Sequence, residues 1–484
     1  MSHPLRFLLT LGTALVVAVS ARAELKLPAI FGNHMVLQQQ MPVPVWGWAA
    51  PGAQVTVKFA GQTKSTRANA DGVWVVKLEK LKATAAPQTL VVTAGETLTL
   101  TNILVGEVWL GSGQSNMEKP IGFQPGQRPC FNAETELAAA NYPNLRIFKV
   151  EKTLAAKPRK DLENFKSWQP CSSNALNAAS FSAAAYYFGR TLHTNLNVPI
   201  GLIASSWGGT RIEPWTPPAG FAAVPELASV KLPDYGTNKI PNSAPTVLYN
   251  GMIAPLAGFA MRGAIWYQGE ANRNDTNYHA KMAALVGGWR KVWGAGDFPF
   301  YFVQLAPFKY HKSAVNYVAE TDPLPALWLQ QSRAARNIKN AGMIVTTDLV
   351  DDLTDIHPRD KATVGHRLAQ LALDRTYDRE LLSASPAFKS MKITGNKAVL
   401  KFENTYGGLA SRDSQPLTWF TVAGEDGKFV PAEARIVGET VEVTAAKVAA
   451  PKVVRFAWHQ LAQPNLVNKA GLPAEPFRTD RPIH

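Results

Sequence analysis

Between Ile103 and Ser383, short apolar runs alternate with helical stretches, and this alternation restricts the fold more than any other property of the chain. The runs Val105–Leu110, Asn144–Val150, Ile200–Ser205, Gly263–Tyr267, Phe298–Leu305 and Gly342–Thr347 read as strands. Ala183–Thr194, with Ser182 placed to cap its start, His279–Val292 and Ala362–Asp374 read as helices. Strands alternating with helices predict an α/β region built on a parallel sheet covered on both faces. In such sheets, active residues gather at the carboxyl ends of the strands.

The flanks have a different texture. Residues 24–102 contain short strand-like runs such as Gln54–Phe59 and Val73–Leu78, separated by Pro51-Gly52, Ala60-Gly61 and Asp71-Gly72, and predict a small β-sandwich. Residues 384–484 return to short strands, among them Ala398–Phe402 and Val453–Trp458, and predict a C-terminal β region. The catalytic region is therefore placed at 103–383. Nearly half of the 484 residues are hydrophobic, which excludes a disordered chain. Residues 1–23 carry Arg6, an apolar run from Phe7 to Val19 and Ala21-Arg22-Ala23, the pattern of a secretory signal cleaved before Glu24. The run is shorter than the roughly twenty residues a membrane span needs. A secreted or periplasmic protein is expected, with no membrane attachment after cleavage.

The formal charge of +14 falls to +12 when Arg6 and Arg22 leave with the signal. The basic residues are scattered and form no basic helix or aromatic-basic stretch, so nucleic acid is not an expected partner. Cys130 and Cys171 are the only cysteines. In an exported protein they either form one disulfide or remain buried thiols. No Cys/His spacing suits a metal, and none is expected.

Four chain segments carry chemistry. After the run that begins at Ile103, Gly111-Ser112-Gly113-Gln114-Ser115-Asn116 bends through glycine and presents Ser115 as a nucleophile, which requires a base within hydrogen-bond reach. His357, in Thr354-Asp355-Ile356-His357-Pro358-Arg359, is the candidate base. If this segment is extended, Asp355 lies on the same side as His357 and orients its ring. Ser205-Ser206-Trp207-Gly208-Gly209-Thr210 and Trp266-Tyr267-Gln268-Gly269-Glu270 turn through glycine after strands. An amide at Gly208 or Gly209 and the Gln268 side chain, beside the Ser115 amide, are the oxyanion donors this pattern offers, each worth roughly 3–4 kcal/mol in such sites. Glu270 is the alternative acid or a substrate contact.

Five motifs in fixed order carry a resemblance: Gly-Gln-Ser-Asn-Met at 113–117, Ser-Trp-Gly-Gly-Thr at 206–210, Tyr-Asn-Gly-Met-Ile at 249–253, Trp-Tyr-Gln-Gly-Glu at 266–270 and Asp-Ile-His-Pro-Arg at 355–359. Together with Asn33–Gln38 and Ala470–Thr479, they make the chain resemble the sialate O-acetylesterase family of SGNH hydrolases. The resemblance implies a three-layer α/β/α core flanked by β modules, no cofactor, acetylated carbohydrate as substrate, Ser115 as nucleophile and His357 as base. The chain departs from the wider pattern at Thr354, where SGNH enzymes commonly carry the aspartate, at Ala271 and along Trp328–Arg333. The acidic partner therefore stays open between Asp355 and Glu270.

The expected activity is serine-dependent removal of O-acetyl groups from carbohydrates. Acetylated plant or microbial polysaccharide is an alternative substrate, and a non-catalytic glycan-binding protein is the alternative of another class. Trp207, Trp215 and Trp266 are candidates for stacking on sugar, and Arg211 for meeting a sialate carboxylate.

Overall fold

The strand Thr97–Gly113 (β1) changes character after the first six of its seventeen residues. Exposure alternates over its first six residues, and every later residue is buried. The first half pairs antiparallel with Thr84–Thr93, as a sandwich strand with one wet face does. The second half runs parallel between two neighbours and is covered on both faces. The boundary expected at 102/103 thus falls inside one continuous strand.

A computed structural model describes residues 24–232, 234, 239–310 and 323–480; the expected signal at 1–23 lies outside them. The remaining strands of the central sheet are Asn141–Val150 (β2), Phe165–Ser172 (β3), Ile200–Ser206 (β4), Gly263–Tyr267 (β5), Phe300–Val303 (β6) and Ala341–Ile344 (β7). Their spatial order is β7-β6-β5-β1-β4-β2-β3. All are parallel except β3, an antiparallel edge strand carrying Pro170, so the sheet is mixed where a purely parallel one was expected. The chain leaves β1 for β2 and the edge strand β3, returns to β4 beside β1, then crosses to the other side and runs outward through β5, β6 and β7. The winding reverses at β1, and the crevice beyond the carboxyl end of such a strand is the usual ligand site of an open α/β sheet.

Register establishes the three layers. Trp109 lies opposite Gly263 and Trp266 opposite Ser112, so the two indoles point to opposite faces. Trp109 packs on Phe188 of helix Ala183–Leu196 (α1). Trp266 packs on Trp289 of helix Tyr278–Trp293 (α2). The helix Pro323–Asn337 (α3) joins α2 through His279 and Gln330. The helix Lys361–Arg375 (α4) lies against α1 so closely that a Cβ at Gly365 would approach the Tyr187 Cβ to 2.5 Å. The α/β/α core and its flanking β modules match the expected fold class.

Buried Glu107 fastens the opposite end of the catalytic half of β1. It accepts from Gln38 (3.0 Å) and Gln39 (2.8 Å) of the N-terminal module, from Arg262 (2.7 and 2.9 Å) and from Tyr377 (3.0 Å), just beyond α4. In the C-terminal region, one four-stranded antiparallel sheet contains Ala387–Thr394 and Lys397–Glu403, and a second contains Phe420–Ala423 and Val453–Phe456. Phe388 of the first stacks on Phe477 of the second at 4.7 Å.

Candidate active site

Ser115 stands at the carboxyl end of β1, at the first residue of a single helical turn, Ser115–Glu118. Gly113 makes that position possible. Its φ is +141°, and a Cβ there would lie 2.2 Å from the Tyr267 carbonyl oxygen. The turn is held by Gln114 N–H donating to the Tyr267 carbonyl (3.0 Å) and by Gln114 Oε1 accepting from Gln268 (3.1 Å). Ser115 itself is half-buried.

His357 lies on the loop between β7 and α4. This loop is not the extended segment expected from sequence: Asp355 Oδ1 accepts the backbone N–H of His357 at 2.9 Å, folding the loop back on itself. The turn still brings Asp355 Oδ1 to 3.8 Å from His357 Nδ1. Arg128 donates to the other carboxylate oxygen at 3.0 Å. His357 Nε2 is buried and has no hydrogen-bond partner among the described residues. Burial, then the Lys361 cation, push the imidazole pKa down to about 4, against the opposing pull of Asp355. The ring is therefore neutral at pH 7.

Asn116 joins the two segments. Its Nδ2 donates to the Ile356 carbonyl (3.0 Å) and to Glu270 Oε1 (2.5 Å), and its Oδ1 accepts from Lys361 Nζ (2.9 Å). The residue after Ser115 is thereby bonded to the residue before His357. Glu270, the alternative acid, is turned to Asn116, and its burial raises its pKa. The charge acting on His357 from the acidic side is that of Asp355.

Of the oxyanion candidates, Gly208 packs against Ser115, the candidate nucleophile: a Cβ there would sit 3.2 Å from Ser115 Cβ. Its N–H is already donated to Glu118 Oε2 at 2.7 Å, which leaves Gly209, exposed at φ +74°, as the candidate amide of the pair. Gln268, the other expected oxyanion donor, is turned into the protein. Its Nε2 lies within bonding distance of Gln114 Oε1 (3.1 Å), the Thr210 carbonyl (3.1 Å) and Asn272 Oδ1 (2.7 Å), so its two amide hydrogens are engaged inside the protein. Tyr278 donates to its Oε1 at 2.8 Å. Gln268 braces the nucleophile turn.

Arg211 is also occupied, bonded to Glu213 (3.1 Å), Asp275 (2.9 and 3.0 Å) and the Ala271 carbonyl (2.9 Å). Trp215 and Trp266 are core residues, whereas Trp207 is partly exposed beside Gly208, with Lys152 Nζ 5.8 Å from its ring. Cys130 and Cys171 are free, buried thiols. Among the described residues, no group of three or more His, Cys, Asp or Glu is placed to hold a metal. No described helix is long and apolar enough to cross a membrane. Sequence reasoning missed Asn116, Glu118, Arg128 and Lys361; Asn116 lies in the Gly-Gln-Ser-Asn-Met motif and Glu118 directly after it, but their role depends on contacts distant in sequence.

Residues 105–374 match the family model described as carbohydrate esterase, sialic acid-specific acetylesterase. A human sialate O-acetylesterase is 34% identical over 419 residues, covering 79% of this chain and 77% of the relative. The rat sialate O-acetylesterase is 30% identical over 490 residues, covering 88% of each. A crystal structure of a carbohydrate acetylesterase from Xanthomonas citri superposes with a TM-score of 0.84 at 37% identity, covering 94% of this chain and all of that one. The fold, the motif order and these relatives define a carboxylic ester hydrolase. The chain belongs to the sialic acid-specific acetylesterase family of carbohydrate esterases.

Proposed function

We propose that this protein is an exported serine esterase that removes O-acetyl groups from carbohydrates through an acetyl-enzyme intermediate. The observation that carries the reading is the Asn116 bridge, which bonds the flank of Ser115 to the flank of His357. In this mechanism Ser115 Oγ attacks the acetyl carbonyl and His357 Nε2 takes its proton. The Ser115 and Gly209 amides hold the oxyanion, and Gln268 keeps the turn in place. Asp355 stabilises the imidazolium. As the tetrahedral species collapses, the sugar–oxygen bond to the acyl carbon breaks, and His357 returns the proton to the departing hydroxyl. Water, deprotonated by His357, then releases acetate and restores Ser115.

The human and rat relatives bear the name sialate O-acetylesterase, and acetylated sialic acid is the first substrate to test. Acetylated neutral polysaccharide is a second reading, favoured by the engagement of Arg211 with Glu213 and Asp275 in place of a ligand carboxylate. Acetate release from acetylated sialic acid, xylan and xyloglucan decides between them. Fluorophosphonate labelling that disappears in Ser115→Ala, with loss of turnover in Ser115→Ala and His357→Ala, is the expected result. A folded wild-type protein that neither labels nor releases acetate would be a glycan-binding protein. Export predicts a mature chain beginning at Glu24, which N-terminal sequencing checks.

A further inference from the structure

We propose that Lys361 is a positioning residue for this chemistry: its ammonium bonds groups flanking both Ser115 and His357 and holds the two segments in register. The inference rests on the serine reading above. Lys361 opens α4 and is fully buried. Its Nζ donates to Asn116 Oδ1 at 2.9 Å and to the Pro358 carbonyl at 2.6 Å. Asn116 follows Ser115 and Pro358 follows His357, so one cation reaches both halves of the site. Tyr267, whose carbonyl holds the nucleophile turn, places its ring 5.4 Å from the same Nζ.

Stability alone does not account for this cation. Among the described residues no carboxylate lies within ion-pair distance of it, and a buried charge without a partner is an expensive feature of a fold. Its neighbours bear this out. Glu270 and Asp355 are the acidic groups that act on it; Lys119, itself buried and bonded to the Arg128 carbonyl, opposes it; Cys130 is a buried thiol. Arg128 and Arg359 lie beyond, on the acidic side of the His357 loop. Set against His357, the Lys361 charge favours the neutral imidazole. It therefore acts in two ways on the same base, fixing the loop that carries it and keeping it unprotonated.

Lys361→Gln retains a donor and removes the charge. In the folded variant kcat should fall about 10²-fold, the loss associated with small misplacement of reacting groups. KM should change little, and the acid limb of kcat/KM should move up by about one pH unit as a neighbouring cation is lost. A limb that stays in place, whatever happens to kcat, would mean a merely structural lysine and would overturn the proposal. If Lys361→Gln does not fold, Lys361→Arg keeps the charge and displaces the bonds to Asn116 and Pro358. A kcat loss of about tenfold or more with an unmoved limb then supports the proposal, and unchanged kcat overturns it. Full turnover by Ser115→Ala would instead overturn the serine reading, and this proposal with it.

Discussion

Asn116 Nδ2 donates to the Ile356 carbonyl at 3.0 Å across 240 residues of sequence, and so ties the nucleophile turn to the histidine loop. Removing this amide in Asn116→Ala leaves Glu270 Oε1, the Ile356 carbonyl and Lys361 Nζ short of a buried partner. A buried polar group left unpaired costs about 1–3 kcal/mol, so the midpoint of thermal unfolding should fall together with kcat. Calorimetry and turnover on the same preparation check this.

The depressed His357 pKa, about 4, sets the acid side of the activity profile. The proposed base acts when neutral, and protonation begins only as pH falls towards that value. Turnover should therefore persist near pH 5, where an ordinary histidine would be mostly charged. A limb of kcat/KM centred near 6.5 would contradict the buried, cation-flanked imidazole.

Asp355→Asn separates the two acidic candidates. Because Asp355 raises the His357 pKa, its neutralisation should move the acid limb further down while lowering plateau turnover by about 10²–10⁴-fold. Glu270→Gln, which alters the bond to Asn116, should lower turnover without that displacement. A pH profile of each variant distinguishes them.

Glu213 links acid stability to the support of the site. Burial opposes its charge, but hydrogen bonds from Arg211, Lys281 and Asn272 prevail and hold its pKa at about 2, below the ordinary 4.5. A carboxylate depressed in the folded state stabilises the protein above pH 4.5, and that stabilisation fades as pH falls towards 2. The difference in melting temperature between wild type and Glu213→Gln should accordingly be larger at pH 7 than at pH 3.

The tryptophans should divide by location. Trp266→Ala opens a hole in a core position that is 1% exposed and should destabilise by about 3–5 kcal/mol. Trp207→Ala, at the partly exposed edge of the site, should raise KM for an acetylated glycan and leave KM for a small aryl acetate nearly unchanged. Melting curves and Michaelis kinetics give the two readouts.

Alternation of apolar runs made the six parallel strands and three of the main helices legible, because each strand lies under helices on both sides. The helix Pro323–Asn337 was hidden by its Pro-Leu-Pro opening. Phe165–Ser172 was hidden by its polar edge character and Pro170. Gln62–Arg67 is a wholly polar strand at the edge of the sandwich, with no apolar period to reveal it. In the site, glycine turns pointed to Ser115 and the Asp-x-His spacing to His357. The Asp355 turn is a local one that the extended reading overlooked, whereas the engagement of Gln268 and the placing of Lys361 depend on partners 154 and 245 positions away, which local pattern does not encode.

β1 runs from the front module into the middle of the catalytic sheet, so the two share one strand. Deleting residues 24–102 would remove the first six residues of the strand that leads to Ser115 and would strip Gln38 from Glu107. The front module supports the strand that leads to Ser115, so grafting it onto another enzyme, or exchanging it for a different β module, requires rebuilding that shared strand.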